Sequence, residues 1–297
     1  MPKIGLAEFG DRYETVEKPL AAVGIETTRD TDSADVILLG RRKVEYTNED
    51  TPVYYRLRGD LWAVRDGYNV RAWVGDRIRN RQFAGLIAPD KRLQAKLEAH
   101  RFSRFQPECY QIPLTIEPDG FPTTEHTDTE LRCLTLTNCD YQAKIAPLMQ
   151  LAPVVERALE GSETWRICGK GDYAPELKAR TEALEHVEFW GFQGTNAMLD
   201  WANCLLHFSN ADIQRPNAIL EGMAANLPVL VNDYEAFTGD AQTIRCGTSE
   251  MLERELRLQR NPERRQNAVK GYNEALALHT PEAIGKRLYY ALSEVHT

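Results

Sequence analysis

What most constrains this chain is the order of its apolar runs. Short continuous runs alternate with segments whose apolar residues recur at helical spacing. In the first half KIGLAEF, ADVILLG, PVYYRLR, FAGLIAP and CYQIPL read as strands, and VEKPLAAVG and KRLQAKLEAH as helices. In the second half the strands are LRCLTLTN, TWRICGKG, HVEFWGF, CLLHFS and LPVLVND. The helices between them are KIAPLMQLAPVVERALEG, APELKARTEALE, TNAMLDWAN and RPNAILEGMAAN. A strand that is apolar along its whole length has both faces covered, and strand–helix–strand order supplies the cover with crossover helices. The fold class expected is therefore α/β, built on parallel sheets.

A chain of 297 residues is long enough for two such sheets, each with its own core. The natural break is TIEPDGFPTTEHTDTE, residues 115–130, where Pro118, Gly120 and Pro122 stand among acids and threonines without periodicity. This gives a first lobe over 1–118 and a second over 119–280. A final helix over 281–297 has Thr280 as its N-cap and Pro281 in its first turn, and can cross back to the first lobe. After Asp233 the chain reads as helical to its end.

Composition closes off several function classes. No run approaches the roughly 18 apolar residues that a membrane-spanning helix needs. Glu8 interrupts the start before a secretory apolar core develops, so a cytoplasmic location is expected. The six cysteines, Cys109, Cys133, Cys139, Cys168, Cys204 and Cys246, form no C-x-x-C pair and read as reduced core residues. The six histidines show no H-x-x-x-H spacing, and no metal is expected. The net charge of −8 disfavours nucleic acid as a general partner, yet residues 41–104 carry 15 Lys and Arg against 8 Asp and Glu, a balance of +7. There Tyr54, Tyr55, Trp62, Tyr68 and Trp73 interleave with Arg56, Arg58, Arg65 and Arg71. Such a mixture suits an anionic partner, and solvated helix faces are the plainer account.

Several motifs carry a resemblance. QIPLTIEPDGFP, RICGKGDYAPELKAR, HVEFWGF and RPNAILEGMAANLPVLVND follow one another in the second half, after FAGLIAPDKRLQAKLE in the first. Together they resemble the family 4 glycosyltransferases, retaining enzymes of the GT-B architecture with two Rossmann-like lobes facing a cleft. The resemblance implies a nucleotide-diphosphate sugar as donor, held by the second lobe, and no tightly bound cofactor or required metal. The acceptor is expected on the first lobe, where the +7 segment points to something anionic: a glycan or lipid-linked glycan, a lipid phosphate, or a hydroxylated base in DNA. Two other readings remain: a GT-B-type epimerase, for which no His or Glu pair singles itself out, and a module that binds nucleotide sugars without turnover.

Within the motifs, Gly169 and Gly171 follow a strand and precede a helix, where a backbone without Cβ atoms can approach a nucleotide. A strand-to-helix turn needs glycine in any case. Gly191 ends the next strand, placing Phe192 either to read a base or to join the core. Glu221, an acid on a helix of small apolar residues, needs a partner; the resemblance implies that it accepts from the donor ribose hydroxyls, and half of a buried ion pair is the other account. The helix start at Asn217 would face the donor phosphates. The resemblance also implies an acid eight residues before Glu221, where this chain has Ile213, so Asp212 is the substitute. For the cations facing the leaving diphosphate, Lys144 matches the family's lysine, whereas Asn138 stands in the arginine position. In the first lobe Arg58 and Asp60 end a strand where they can meet a phosphate and an acceptor hydroxyl, or each other. The first turn offers one glycine, Gly10, to cover the donor.

Overall fold

A computed structural model describes residues 2–9, 12–40, 51–57, 82–99 and 107–293. Two compact units make up the chain, Met1–Glu117 with Ala277–Thr297, and Pro118–Leu276.

The first unit contains β1 (Ile4–Ala7), α1 (Glu14–Ala22), β2 (Thr27–Thr28), β3 (Val36–Leu39), β4 (Val53–Arg56), β5 (Gly85–Ala88), α2 (Lys91–Ala99) and β6 (Glu108–Gln111). The C-terminal helix, Pro281–Ser293, belongs to it. All neighbouring strands pair in parallel, in the order β2-β1-β3-β4-β5-β6. β1, β3, β4 and β5 are buried along their whole length, as continuous apolar runs require. Ile4, Leu6, Val36, Leu38 and Ile87 form a core with Val16 and Leu20 of α1 and with Ile284, Leu288 and Leu292 of the C-terminal helix. That helix crosses α1 at a glycine: a Cβ on Gly285 would stand 2.0 Å from the Pro19 carbonyl oxygen. Thr280 caps it, its Oγ1 accepting from Ala283 N–H at 3.4 Å.

Burial corrects one expectation here. Tyr54, Tyr55 and Arg56 belong to the core of the first unit, because β4 lies inside the sheet between β3 and β5. They are not part of an exposed aromatic and basic surface. Arg56 donates from Nη2 to the Pro113 carbonyl at 3.2 Å.

The second unit contains β7 (Arg132–Asn138), α3 (Gln142–Ala158), β8 (Thr164–Lys170), α4 (Ala174–Thr181), β9 (Val187–Gly191), α5 (Thr195–Trp201), β10 (Cys204–His207), α6 (Asn217–Ala224), β11 (Val229–Asn232) and β12 (Ile244–Cys246). Helices α7 (Ser249–Gln259), α8 (Pro262–Ala268) and α9 (Tyr272–Ala277) follow. Its sheet is parallel throughout, in the order β12-β11-β10-β7-β8-β9. Two three-stranded halves thus grow outward from the β7–β10 pair, which is the doubly wound nucleotide-binding order. Trp165 anchors the core, fully buried, with its indole N–H donating to Thr135 Oγ1 at 3.0 Å.

Two features depart from the sequence reading. After Asp233 the chain first makes a 3-10 turn at Glu235–Phe237 and then β12, before any helix. β12 and the equally unexpected β2 are short edge strands, whose half-solvated residues leave no apolar run to read. Residues 118–130 form no regular element beyond a 3-10 turn at Pro118–Gly120, but they pack closely. Thr124 N–H donates to the Ala225 carbonyl at 3.0 Å. His126 is buried, with Nε2 on the Asn226 carbonyl at 2.8 Å and Nδ1 facing Arg265 Nε at 3.3 Å. All six cysteines are free and buried.

Candidate active site

In a doubly wound sheet the connections leave adjacent strands in opposite directions at one point, and their parting opens a crevice at the strands' C-terminal ends. In the second unit that point lies between β7 and β10. The loop after β7 leads into the first turn of α3, which carries Lys144. The loop after β10 carries Asp212.

These two loops are joined by a charged chain. Lys144 Nζ donates to Asp212 Oδ1 at 2.9 Å, and His207, the last residue of β10, places Nε2 3.1 Å from Asp212 Oδ2. Asp212 and His207 are buried, and the Lys144 side chain is 19% exposed. Burial by itself would raise the Asp212 pKa. The hydrogen bond from His207 and the positive charge of Lys144 outweigh it and hold the carboxyl well below the usual carboxylate range. An ionised carboxylate only accepts, so His207 Nε2 carries the hydrogen it shares.

Backbone chemistry fixes the same junction. Pro147 sits inside α3 and has no N–H to give to the carbonyl four residues earlier. That carbonyl, on Ala143, instead accepts from Asn210 N–H of the β10 loop at 3.0 Å. The tie lies one residue before Lys144 and two before Asp212. On its other flank the loop is held by Ser209 N–H donating to Asn232 Oδ1 at 2.9 Å. Neither His207 nor Pro147 stood out in the sequence. The available signals were a polar residue closing an apolar strand and a proline inside a helical pattern.

The remaining candidates of this unit lie at or just beyond the C-terminal ends of β7, β8 and β9, and on α6. Asn138 accepts from Asp140 N–H at 2.7 Å and shapes the turn after β7. Gly169 and Gly171 are demanded by the chain itself: Cβ atoms there would stand 2.3 Å from the Thr137 carbonyl oxygen and 2.4 Å from Asp140 Oδ1. Their open side is therefore filled by the β7 loop. Gly191 has φ +67°, with open space where a Cβ would point. Phe192 is not core but 70% exposed, with Lys170 Nζ 4.5 Å from its ring centre. Asn217 is exposed at the start of α6, where no side chain caps the helix. Glu221 is half-buried rather than buried, and among the described residues its carboxylate has no hydrogen-bonding or ion-pairing partner. Burial pushes its pKa up. Ile213 is buried, and so is the adjacent Asp212. Arg215, just before α6, pairs through Nε and Nη2 with the two carboxylate oxygens of Asp240, at 2.9 and 3.0 Å.

In the first unit the order reverses between β1 and β3. Glu8, directly after β1, has φ +61°, a conformation that costs a non-glycine residue energy and that clusters at functional positions. Gly10, Arg58 and Asp60 lie outside the described residues. Among the described residues no group of three His, Cys, Asp or Glu side chains is arranged to hold a metal ion. Among them, too, no helix is long and apolar enough to cross a membrane.

Known proteins resemble this chain in sequence and in architecture. The sequence model of Glycosyl transferases group 1 matches residues 135–254, which run from within β7 to within α7 and include Lys144, His207 and Asp212. The ORF31 protein of a virus (isolate Australia/Victoria), provisionally named a glycosyltransferase, is 33% identical over 300 residues, covering 94% of this chain and 92% of the viral protein. Among solved structures, Anabaena Alr3699/HepE in complex with UDP-glucose superposes with a TM-score of 0.76 at 13% identity, covering 99% of this chain and 100% of that one. A variant of S. aureus TarM in a complex that includes UDP gives a TM-score of 0.71 at 12% identity, covering 87% of this chain. The chain spans only 55% of TarM's length. A viral relative similar along nearly its whole length and two parallel sheets with GT-B neighbours agree with the matched family: this chain belongs to the group 1 glycosyltransferases and has the GT-B fold.

Proposed function

We propose that this glycosyltransferase takes a hexose or pentose from a UDP-sugar and passes it to an acceptor hydroxyl with retention of configuration. The observation that carries the reading is the Lys144–Asp212 pair at the point where β7 and β10 part. A diphosphate leaving group gathers negative charge as the sugar departs, and a fixed cation beside it stabilises that charge. Lys144 is that cation. Glu221 accepts from the donor ribose hydroxyls, a role its half-buried carboxylate, without a partner among the described residues, suits. The uncapped start of α6 at Asn217 faces the phosphates. Phe192 and Gly191 flank the base. The UDP complexes of HepE and TarM support uridine as the base. Retention rests on the resemblance to family 4 enzymes.

The acceptor belongs to the first unit, and the +7 balance of residues 41–104 favours an anionic one, a glycan or lipid-linked glycan. Because Lys144 supplies the positive charge, turnover persists in EDTA.

Incubation with a panel of UDP-sugars and candidate acceptors, reading released UDP and the anomeric signal of the product, tests this. Release of UDP with a retained anomer is expected. A product of inverted configuration, or activity lost in EDTA and restored by magnesium, would refute the corresponding part. Ile213, an apolar residue in place of the family's acid, favours a second reading, a UDP-sugar-binding module without turnover. Tight UDP binding with no UDP release under any acceptor would select it.

A further inference from the structure

We propose that His207 is a positioning residue for the transfer: it holds Asp212 in place so that the Lys144 ammonium is presented at one fixed point to the donor diphosphate. This rests on the role given to Lys144 above. The order of rigidity argues for it. Of the three side chains, only His207 starts from a central strand, in register with Val231 of β11. Its ring is set edge-on against Phe237, with centroids 5.5 Å apart and planes at 80°. Phe237 is itself buried and packed edge-on against Tyr234. The imidazole therefore has one orientation, and it aims Nε2 at Asp212 Oδ2.

Asp212, by contrast, stands in an irregular loop, and Lys144 ends a flexible four-carbon stem that takes many rotamers when unheld. The two carboxylate oxygens of Asp212 face different neighbours, Oδ2 the histidine and Oδ1 the lysine. The strand fixes His207, His207 fixes Asp212, and Asp212 fixes Lys144. A histidine serving only as core filler would need no such chain. An apolar side chain of similar size would then replace it without consequence for Lys144.

The test uses the full chain with His207→Phe, which keeps the ring packing and removes the N–H, and His207→Gln, which keeps an N–H donor. His207→Met replaces the Phe variant if that one fails to fold. Two quantities are read: kcat and KM with UDP-glucose and its acceptor, and the acetylation rate of Lys144 by acetic anhydride without donor, followed by mass spectrometry. His207→Phe is expected to lower kcat about tenfold, the factor a hydrogen bond to a charged group commonly carries, with acceptor KM unchanged. Lys144 should acetylate faster in that variant, and His207→Gln should recover part of both effects. Adding His207→Phe to Lys144→Met should bring no further loss, because the two act through one path.

Unchanged kcat and unchanged acetylation in His207→Phe would overturn the proposal. So would equal losses in the Phe and Gln variants that add fully to the Lys144→Met loss. Should the wild type turn over no UDP-sugar at all, the donor reading fails by itself. The acetylation rates then decide whether His207 positions Lys144.

Discussion

Lys144 and Asp212 lie 68 residues apart in the chain, yet their side chains meet at 2.9 Å where the two halves of the second sheet part. The pairing changes what each residue is expected to do when replaced. As an exposed lysine, Lys144 would matter to activity alone. As the partner of a buried carboxylate, it also matters to folding.

Lys144→Met should therefore lower kcat by about 10²- to 10³-fold, the usual loss when one preorganised charge-stabilising group is removed. It should also lower stability by about 1–3 kcal/mol, since the buried Asp212 carboxylate loses its cation while retaining His207. The double variant Lys144→Met with Asp212→Asn should recover stability without recovering activity. Urea unfolding beside steady-state kinetics checks both halves. Recovery of activity in the double variant would remove Lys144 from the chemistry.

Glu221→Ala should weaken UDP binding by at least about tenfold, for one charge-assisted contact to the ribose. The pH dependence has a definite sign. Burial raises the Glu221 pKa above its ordinary 4.5, and the ionised form is the better hydrogen-bond acceptor. UDP affinity should thus begin to fall at a less acidic pH than an exposed glutamate would give, and Glu221→Gln should flatten that fall. Calorimetric titration across the acid range reads the curve directly. A wild-type curve identical to that of the Gln variant would rule out this role.

Pro147→Ala separates stability from function. Alanine restores the N–H missing at position 147, so the Ala143 carbonyl gains a helical partner that competes with Asn210 for it. The helix should be no less stable, and the protein should unfold at an equal or higher temperature. Turnover should nevertheless drop several-fold as the β10 loop loosens beside Asp212. Equal turnover with equal stability would show that the Ala143–Asn210 tie does not govern the site.

His126 sets an acid limit on the second unit. Its pKa is lowered, first by burial and then by the charge of Arg265, against the raising effect of its bond to the Asn226 carbonyl. A depressed native value means that the neutral ring stabilises the fold fully above the unfolded value of 6.5. That contribution is lost as pH falls through the native value. Protonating Nδ1 would point a second N–H at Arg265. His126→Gln can still accept from Arg265 and donate to Asn226, so its melting temperature should fall less steeply below pH 6.5. Parallel melting curves for the two proteins would contradict this.

The architecture could be read in the sequence because strands such as ADVILLG and CLLHFS are apolar throughout, and burial on both faces of a parallel sheet demands that pattern. Periodicity also located α1, α3 and the C-terminal helix, and the run of motifs from QIPLTIEPDGFP to LPVLVND pointed to the glycosyltransferases. The short edge strands β2 and β12 were not legible, since they are half-solvated and carry no run. Nor was the burial of Tyr54 and Arg56, which follows from the neighbours β4 acquires in the sheet. The exposure of Phe192 and the half-burial of Glu221 were likewise settled by packing. The sequence presented Lys144 as a cation, Asp212 as a displaced acid and His207 as one more apolar-strand residue. Their union into one hydrogen-bonded chain is a tertiary fact. It arises because strand order places β7 beside β10 and a proline in α3 leaves a carbonyl for the loop that carries Asp212. Local propensity determines which residues form each strand and helix, whereas the distance between two loops depends on the order in which the strands pair.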